Sequence, residues 1–555
     1  MVFISKLLIT YGMARLLYSE KEVFDSFDQI KDGSNIAISG FNMATTPEYL
    51  IIKLYEHYKK TGHPKDLFVI ADSLPGVPGR AIDYVSEKLY REDDSDFMKG
   101  ILIPYMGFAP WLQRLCVEDR LETYSFSIGT VVGWFREVAA GRPGIMTKTG
   151  LGTYLDPRED KGAMNDKARK ASRCYSQLVT VNGEEFLLYR APKPDVSLVR
   201  GTTADEIGNI TMENESIFGT VLNMTQSAKA YPNPGISFAQ VKRVARFGSL
   251  NAKNVEIPGP ILDYAVVSPE SFEWQTAAKE YDPRISGAVI PPESQEGGVK
   301  GEVTYRNVIE RRLALEIVKL INKMGRPIVM SLGVGIPSAM PGILHQEGLS
   351  ELTYSTIESG LWGGIPLADE NFGASIGPFA AIPMPDQFII YEGGINDMAA
   401  LGFMEIDTDG DVNPSILADR MPGPGGFPAI CAGAPRIFFS GGFTAGKSNI
   451  KVRNGKLVIS EDGEITKFVS GVYKVLFSGT QAMKNNKEVL YVTERAVFKL
   501  VYNGIELVEY APGVDIDRDI IGRMDFRPKI SNDLKEMDRR IFSKRIMGLK
   551  REIKI

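Results

Sequence analysis

One acid of this chain stands where it could act as a nucleophile. Glu358 lies in residues 355–366 (STIESGLWGGIP), beside Gly360, Gly363 and Gly364, after a strand-like run over 352–357. Glycines leave backbone N–H groups uncovered and permit tight turns, so a substrate can come close. A carboxylate nucleophile needs that access. The plainer alternative is a solvated acid in a polar loop. Three more glycine clusters accompany it: Gly333-Val334-Gly335-Ile336-Pro337, Gly393-Gly394, and Gly423 with Gly425-Gly426. They read either as tight turns at strand ends or as a group gathered on one sheet edge. On one edge they would leave room for a narrow substrate arm and supply oxyanion amides to Glu358.

Other nucleophile systems have little to draw on. The chain has three histidines, His57, His63 and His345; the first two read as surface residues at a helix end. Its three cysteines, Cys116, Cys174 and Cys431, are far apart and form no CxxC pair, so neither a disulfide framework nor a zinc site is expected. No metal site is expected, and a reducing cytoplasm fits this usage. Residues 441–448 (GGFTAGKS) match a phosphate-cradling loop, with Lys447 as its cation. That loop needs a helix directly after it, whereas NIKVRNGKLVIS reads as a hairpin. A phosphate-loop ATPase therefore stays a distant alternative.

At 555 residues the chain exceeds one core. A net charge of −5 gives no reason to expect nucleic acid as partner. The apolar N-terminus is too short for a membrane span and lacks a small-residue cleavage site, so it reads as an upstream extension with Met13 as the functional start. No membrane association is expected. The basic tail from Arg539 reads as a solvated or interface-forming helix.

The elements that must position Glu358 form two comparable halves. Residues 34–51 (SNIAISGFNMATTPEYLI) and 326–344 (RPIVMSLGVGIPSAMPGIL) each run strand, glycine turn, proline, helix. Residues 284–303, rich in Pro, Gly and charge, read as a linker between domains at 14–283 and 304–545. Strand-like runs at 67–71, 101–104, 265–267, 387–391, 436–439 and 489–492 alternate with helical stretches such as 306–323. This alternation predicts an α/β fold with mostly parallel sheets. Residues 451–460 and 465–476 read as consecutive strands turning at SEDGE (460–464).

The segment 355–366 resembles the catalytic-glutamate loop of the family I coenzyme A transferases. The resemblance continues in order through 147–165 (TKTGLGTYLDPREDKGAMN), 200–210 (RGTTADEIGNI), 255–267, 331–340, 393–407 (GGINDMAALGFMEID), 423–427 (GPGGF), 492–500, 509–520 and 524–530. The 147–165 block and the C-terminal blocks are similar to the single-chain acetate/propionate branch. The resemblance implies two related open α/β domains in one chain. It implies an enzyme moving coenzyme A from a short-chain acyl-CoA to a free carboxylic acid by ping-pong catalysis through a glutamyl-CoA thioester. Coenzyme A is then a substrate, and no cofactor is permanently bound.

By motif, Glu358 is the nucleophile and Gly426 an oxyanion amide. Gly40, in the ISGFN turn, supports the acyl side. Gly333, Val334, Gly335, Ile336 and Pro337 contact CoA. Trp362 is placed either in the acyl-pocket wall or in the core. A homo-oligomer, dimer or tetramer, is implied, as are short-chain fatty acid, ketone-body or propionate metabolism. A 3-oxoacid CoA-transferase or an acyl-CoA thioesterase on the same fold are the nearest alternatives.

Overall fold

A computed structural model describes residues 14–289, 299 and 301–555. The expected start at Met13 and most of the middle of the expected linker, 290–298 and 300, lie outside the described residues. The first half is built on eight strands, all paired in parallel. Leu67–Ala71 and Val196–Arg200 are buried at every position, as expected of a sheet covered on both faces. Asn35–Ile38 lies between these two strands, and the strand order reverses there.

The second half is built on ten strands. Thr353–Thr356, Ile328–Leu332, Met398–Gly402, Arg436–Ser440 and Glu488–Val492 form its parallel centre. Antiparallel strands extend it on both sides. Here the order reverses at Ile328–Leu332, which has Thr353–Thr356 on one side and Met398–Gly402 on the other. Both repeated strand–glycine turns therefore leave a strand at a switch point, where open α/β sheets bind ligands.

Alternation along the central strands divides their side chains between two cores. Met398, Ala400, Phe438, Leu490 and Val492 pack with Leu313, Ile317 and Ile321 of the helix Tyr305–Met324. Ala399, Leu401, Ile437, Phe439 and Tyr491 join a second core that runs on into the first half. Period two along a strand produces this division. The helix Tyr305–Met324 starts at Thr304, whose side chain accepts from Asn307 N–H, and stops at Gly325 with φ 64°.

Four expectations are corrected. Residues 387–391 are not a strand but part of the helix Met384–Glu392, started by Pro383 and Pro385; Gln387, Phe388 and Tyr391 are buried while Ile389 is exposed, a helical period. The hairpin Asn449–Arg453/Lys456–Glu461 turns at Asn454-Gly455, both with positive φ, and not at SEDGE. Beyond SEDGE, only Ile465–Thr466 is a strand within 465–476. His57 is buried rather than on the surface, between Phe24 and Phe27, with Nε2 3.3 Å from Asp28 Oδ1. The tail from Arg539 is no solvated α-helix: it forms two 3₁₀ turns, Arg539–Phe542 and Leu549–Glu552, that bury Ile541, Phe542 and Leu549. The fully buried Arg311 donates to the carbonyls of Ile541 and Arg545, so the basic run is held against its own chain.

Candidate active site

A cavity of ≈ 420 Å³ lies between the two halves. The first half lines it with Phe41, Asn42, Ser73, Tyr105, Phe108 and Ile128. From the second half come the turn at Gly333, Val334, Gly335 and Ile336, then Glu358, Phe372, and the segment around Gly425 and Gly426. Glu358 follows the strand Thr353–Thr356. Its loop is closed by Ile357 N–H donating to the Leu361 carbonyl at 2.9 Å and Gly360 N–H donating to the Ile357 carbonyl at 3.0 Å. Gly360 has φ 105°, and a Cβ there would overlap the Ile382 carbonyl. The tight turn that presents Glu358 thus requires glycine. Ser359 Oγ ties the loop to the Gly373 carbonyl at 2.6 Å.

The Glu358 carboxyl lies against Gly426, where any Cβ would overlap its Oε2. The residue keeps partial access to the cavity, yet its carboxyl is enclosed. Burial pushes the carboxyl up to about 7, opposed by the Gly426 amide. A desolvated carboxylate beside a backbone N–H is a stronger nucleophile than one in water, and the same amide can receive oxyanion charge.

Gly333, Val334, Gly335, Ile336, Glu358 and Gly426 are brought together at this cavity. Pro337 starts the next 3₁₀ turn and does not line it. Gly40 sits one layer behind the wall: its N–H donates to Asp72 Oδ1 at 2.9 Å, and its neighbours Phe41 and Asn42 face the cavity. Asp72 is fully buried, and burial pushes its carboxyl up to about 7. Trp362 does not line the cavity; its Nε1 donates to Gln387 Oε1 at 2.9 Å. Gly393 and Gly394 end the helix Met384–Glu392, so that cluster is a structural turn.

Sequence reasoning missed Asn42, Asp72, Tyr105, Phe108 and Arg420. Asn42 Nδ2 donates to the Phe372 carbonyl at 3.0 Å, joining the halves, and Phe41 packs where a Cβ on Gly373 would clash. The signal for Tyr105 was the Pro104–Gly107 punctuation after an apolar strand. Lys447 is exposed, 3.8 Å from Glu461 Oε1, and is followed by the strand Asn449–Arg453 instead of a helix. Among the described residues, no group of three or more His, Cys, Asp or Glu is placed to hold a metal ion. No described helix is long and apolar enough to cross a membrane.

Comparison with known proteins defines the class. Residues 25–268 match the family described as Coenzyme A transferase. Caffeate CoA-transferase of Acetobacterium woodii is 38% identical over 94% of this chain and 96% of its own length. Acetate CoA-transferase YdiF of Escherichia coli (strain K12) is 33% identical over 92% of this chain and 91% of its own. The crystal structure of the YdiF acyl-CoA transferase apoenzyme from E. coli O157:H7 superposes with a TM-score of 0.85, covering 97% of this chain and 98% of that one at 30% identity. A thioester complex of the same enzyme with CoA gives 0.84. The chain belongs to the coenzyme A transferase family. It is a transferase that takes coenzyme A as a substrate, on the two-half α/β fold that the resemblance implied.

Proposed function

We propose that Glu358 carries coenzyme A between a short-chain acyl-CoA and a free carboxylic acid such as acetate or propionate. The observation that carries this reading is the enclosed Glu358 carboxyl against Gly426, in a cavity walled by both halves. A Glu358 oxygen attacks the acyl thioester carbonyl, and the C–S bond breaks to give an acyl-glutamyl anhydride and CoA thiolate. The thiolate attacks the glutamyl carbonyl of the anhydride, releasing the first acid as its carboxylate and leaving a glutamyl-CoA thioester. The incoming carboxylate reverses both steps with its own acyl group, so electrons balance and no net proton is taken up. Gly426 N–H receives the oxyanion that forms on the glutamyl carbonyl, and the turn at Gly333–Ile336 holds the CoA side. The Gly40 layer supports the acyl side through Phe41 and Asn42. Both covalent intermediates hydrolyse, which supplies a physical reason for a site closed between two halves.

Two relatives are named for the acids caffeate and acetate, which supports a free carboxylic acid as the acceptor. The domains divide at the 284–303 segment, since each large sheet draws its strands from one side of it. We assign the enzyme to the cytoplasm, in keeping with three free, buried cysteines, and to a homo-oligomer, in keeping with the family resemblance. Incubation with acetyl-CoA should give a covalent CoA adduct, found by mass spectrometry on the peptide containing Glu358 and lost in Glu358→Ala. An active preparation without that adduct would refute the mechanism. Release of free CoA without an acceptor acid would identify a thioesterase instead.

A further inference from the structure

Among the described residues, only two charged side chains line the cavity: Glu358 and Arg420. Most of the remaining wall is apolar, with Phe41, Phe108, Phe372, Phe403 and Phe427 among its rings, and its polar side chains besides Tyr105 are Asn42 and four serines. Arg420 closes a tight turn with Leu417, each backbone N–H donating to the other's carbonyl. Among the described residues, no acid lies within ion-pair distance of its guanidinium. Tyr105, also in the wall, has a hydroxyl with no hydrogen-bond partner among the described residues. Its phenol is seated on Gly107, where a Cβ would overlap the hydroxyl, and its ring lies 4.0 Å from the position a Cβ of Gly425 would take. The two charges that act on the Tyr105 phenol are those of Arg420 and Glu358, which places it within electrostatic reach of both.

The transfer reaction asks for a second anion beside Glu358. The acceptor acid must leave water as a carboxylate and approach a thioester in an apolar wall, and an unpaired carboxylate moved there is strongly disfavoured. A guanidinium fork and a phenolic O–H are the donors that relieve this. We propose that Arg420 and Tyr105 form the subsite that receives the carboxylate of the acceptor acid and turns it towards Glu358. The acid oxygen then bonds to Glu358 Cδ of the glutamyl thioester and CoA thiolate departs. Arg420 and Tyr105 keep their protons throughout and act as positioning residues. The proposal rests on the Glu358 reading above.

The test is steady-state kinetics with acetyl-CoA as donor and propionate as acceptor. Arg420→Gln should raise KM for propionate about tenfold, the usual scale for losing a charge-assisted hydrogen bond, with KM for acetyl-CoA unchanged. Arg420→Lys should recover part of the loss, and Tyr105→Phe should raise the propionate KM by a smaller factor. Repeating the comparison with acetyl-pantetheine, which lacks the phosphates of CoA, should give the same propionate effect. An unchanged propionate KM in Arg420→Gln would overturn the proposal. So would a raised acetyl-CoA KM that vanishes with acetyl-pantetheine, since Arg420 would then hold a CoA phosphate. The Glu358–CoA adduct keeps the two readings apart: with the adduct present and the propionate KM unmoved, only the subsite fails.

Discussion

The carbonyl of Pro104 accepts a hydrogen bond from Gly425 N–H at 3.0 Å. Beside it, Met106 N–H donates to the Pro422 carbonyl at 2.7 Å and Ile128 N–H to the Gly425 carbonyl at 2.9 Å. Three backbone bonds from the first half thus hold the segment around Gly426, the residue against which the Glu358 carboxyl rests. A Cβ on Gly423 would meet the Pro104 carbonyl at 2.6 Å, so this docking also needs a glycine. An amide that must meet developing charge works only when held to within a fraction of an ångström. In the proposed mechanism the first half does the holding, and the second half supplies both amide and acid.

Gly426→Ala should cut kcat and adduct formation by roughly 100-fold or more, the scale of a lost oxyanion donor, because the new methyl displaces the Glu358 carboxyl. Gly426 has no positive φ, so the melting temperature should change little. Rapid-quench mass spectrometry and a thermal melt separate the two effects.

The pH dependence follows from the raised Glu358 carboxyl. As the proposed nucleophile, Glu358 must be ionised, so adduct formation should rise with pH through about 7. The same shift opposes folding: the folded protein holds this proton more tightly than the unfolded chain. The penalty is absent below the ordinary value of 4.5 and grows until pH passes about 7. Glu358→Gln should therefore stabilise the protein at pH 8 and not at pH 4, by at most about 3 kcal/mol and less where cavity water reaches the carboxyl. Chemical denaturation at the two pH values checks this.

Asn42→Ala removes the side-chain bond to the Phe372 carbonyl and leaves alanine at φ 57°. A loss of about 2 kcal/mol is expected from the bond and the backbone together. Activity should fall with it, since Asn42 and Phe372 both line the cavity. Denaturant titration and kcat report both.

Lys447→Ala should leave transfer activity within about twofold, because the side chain is exposed and paired only at 3.8 Å with Glu461. Calorimetry with magnesium-ATP should show no binding that depends on Lys447.

The strand–glycine–helix repeat was legible because it is local: apolar runs, glycines and prolines announce Asn35–Ile38 and Ile328–Leu332 with their turns. Glu358 and Gly426 were legible through motif resemblance. The closeness of their approach was not, since it is set only when the parallel centre of the second sheet brings Glu358 Oε2 to where a Cβ of Gly426 would stand. Residues 387–391 misled because a short apolar run, QFIIY, satisfies a buried strand and a buried helix equally. Arg420 carries no local mark of the role proposed for it, and the Pro104–Gly107 punctuation marks Tyr105 only as part of a turn. What sets them apart is that, among the described residues, their side chains lack partners at the cavity wall, a property of the assembled surface. The tail misled because its basic residues flank Ile541, Phe542 and Leu549, whose burial depends on the helix Tyr305–Met324 more than 200 positions earlier.

The tail also sets the order in which the molecule can mature. Arg311 reaches its carbonyl partners at Ile541 and Arg545, and Glu347 accepts from the N–H groups of Met547, Gly548 and Leu549. One of the two cores of the second half is therefore completed by chain synthesised long after Glu358 has left the ribosome. A nascent chain already exposing Glu358 still lacks that covering. That core can therefore close only after Leu549 has been made, whatever the earlier segments have already formed.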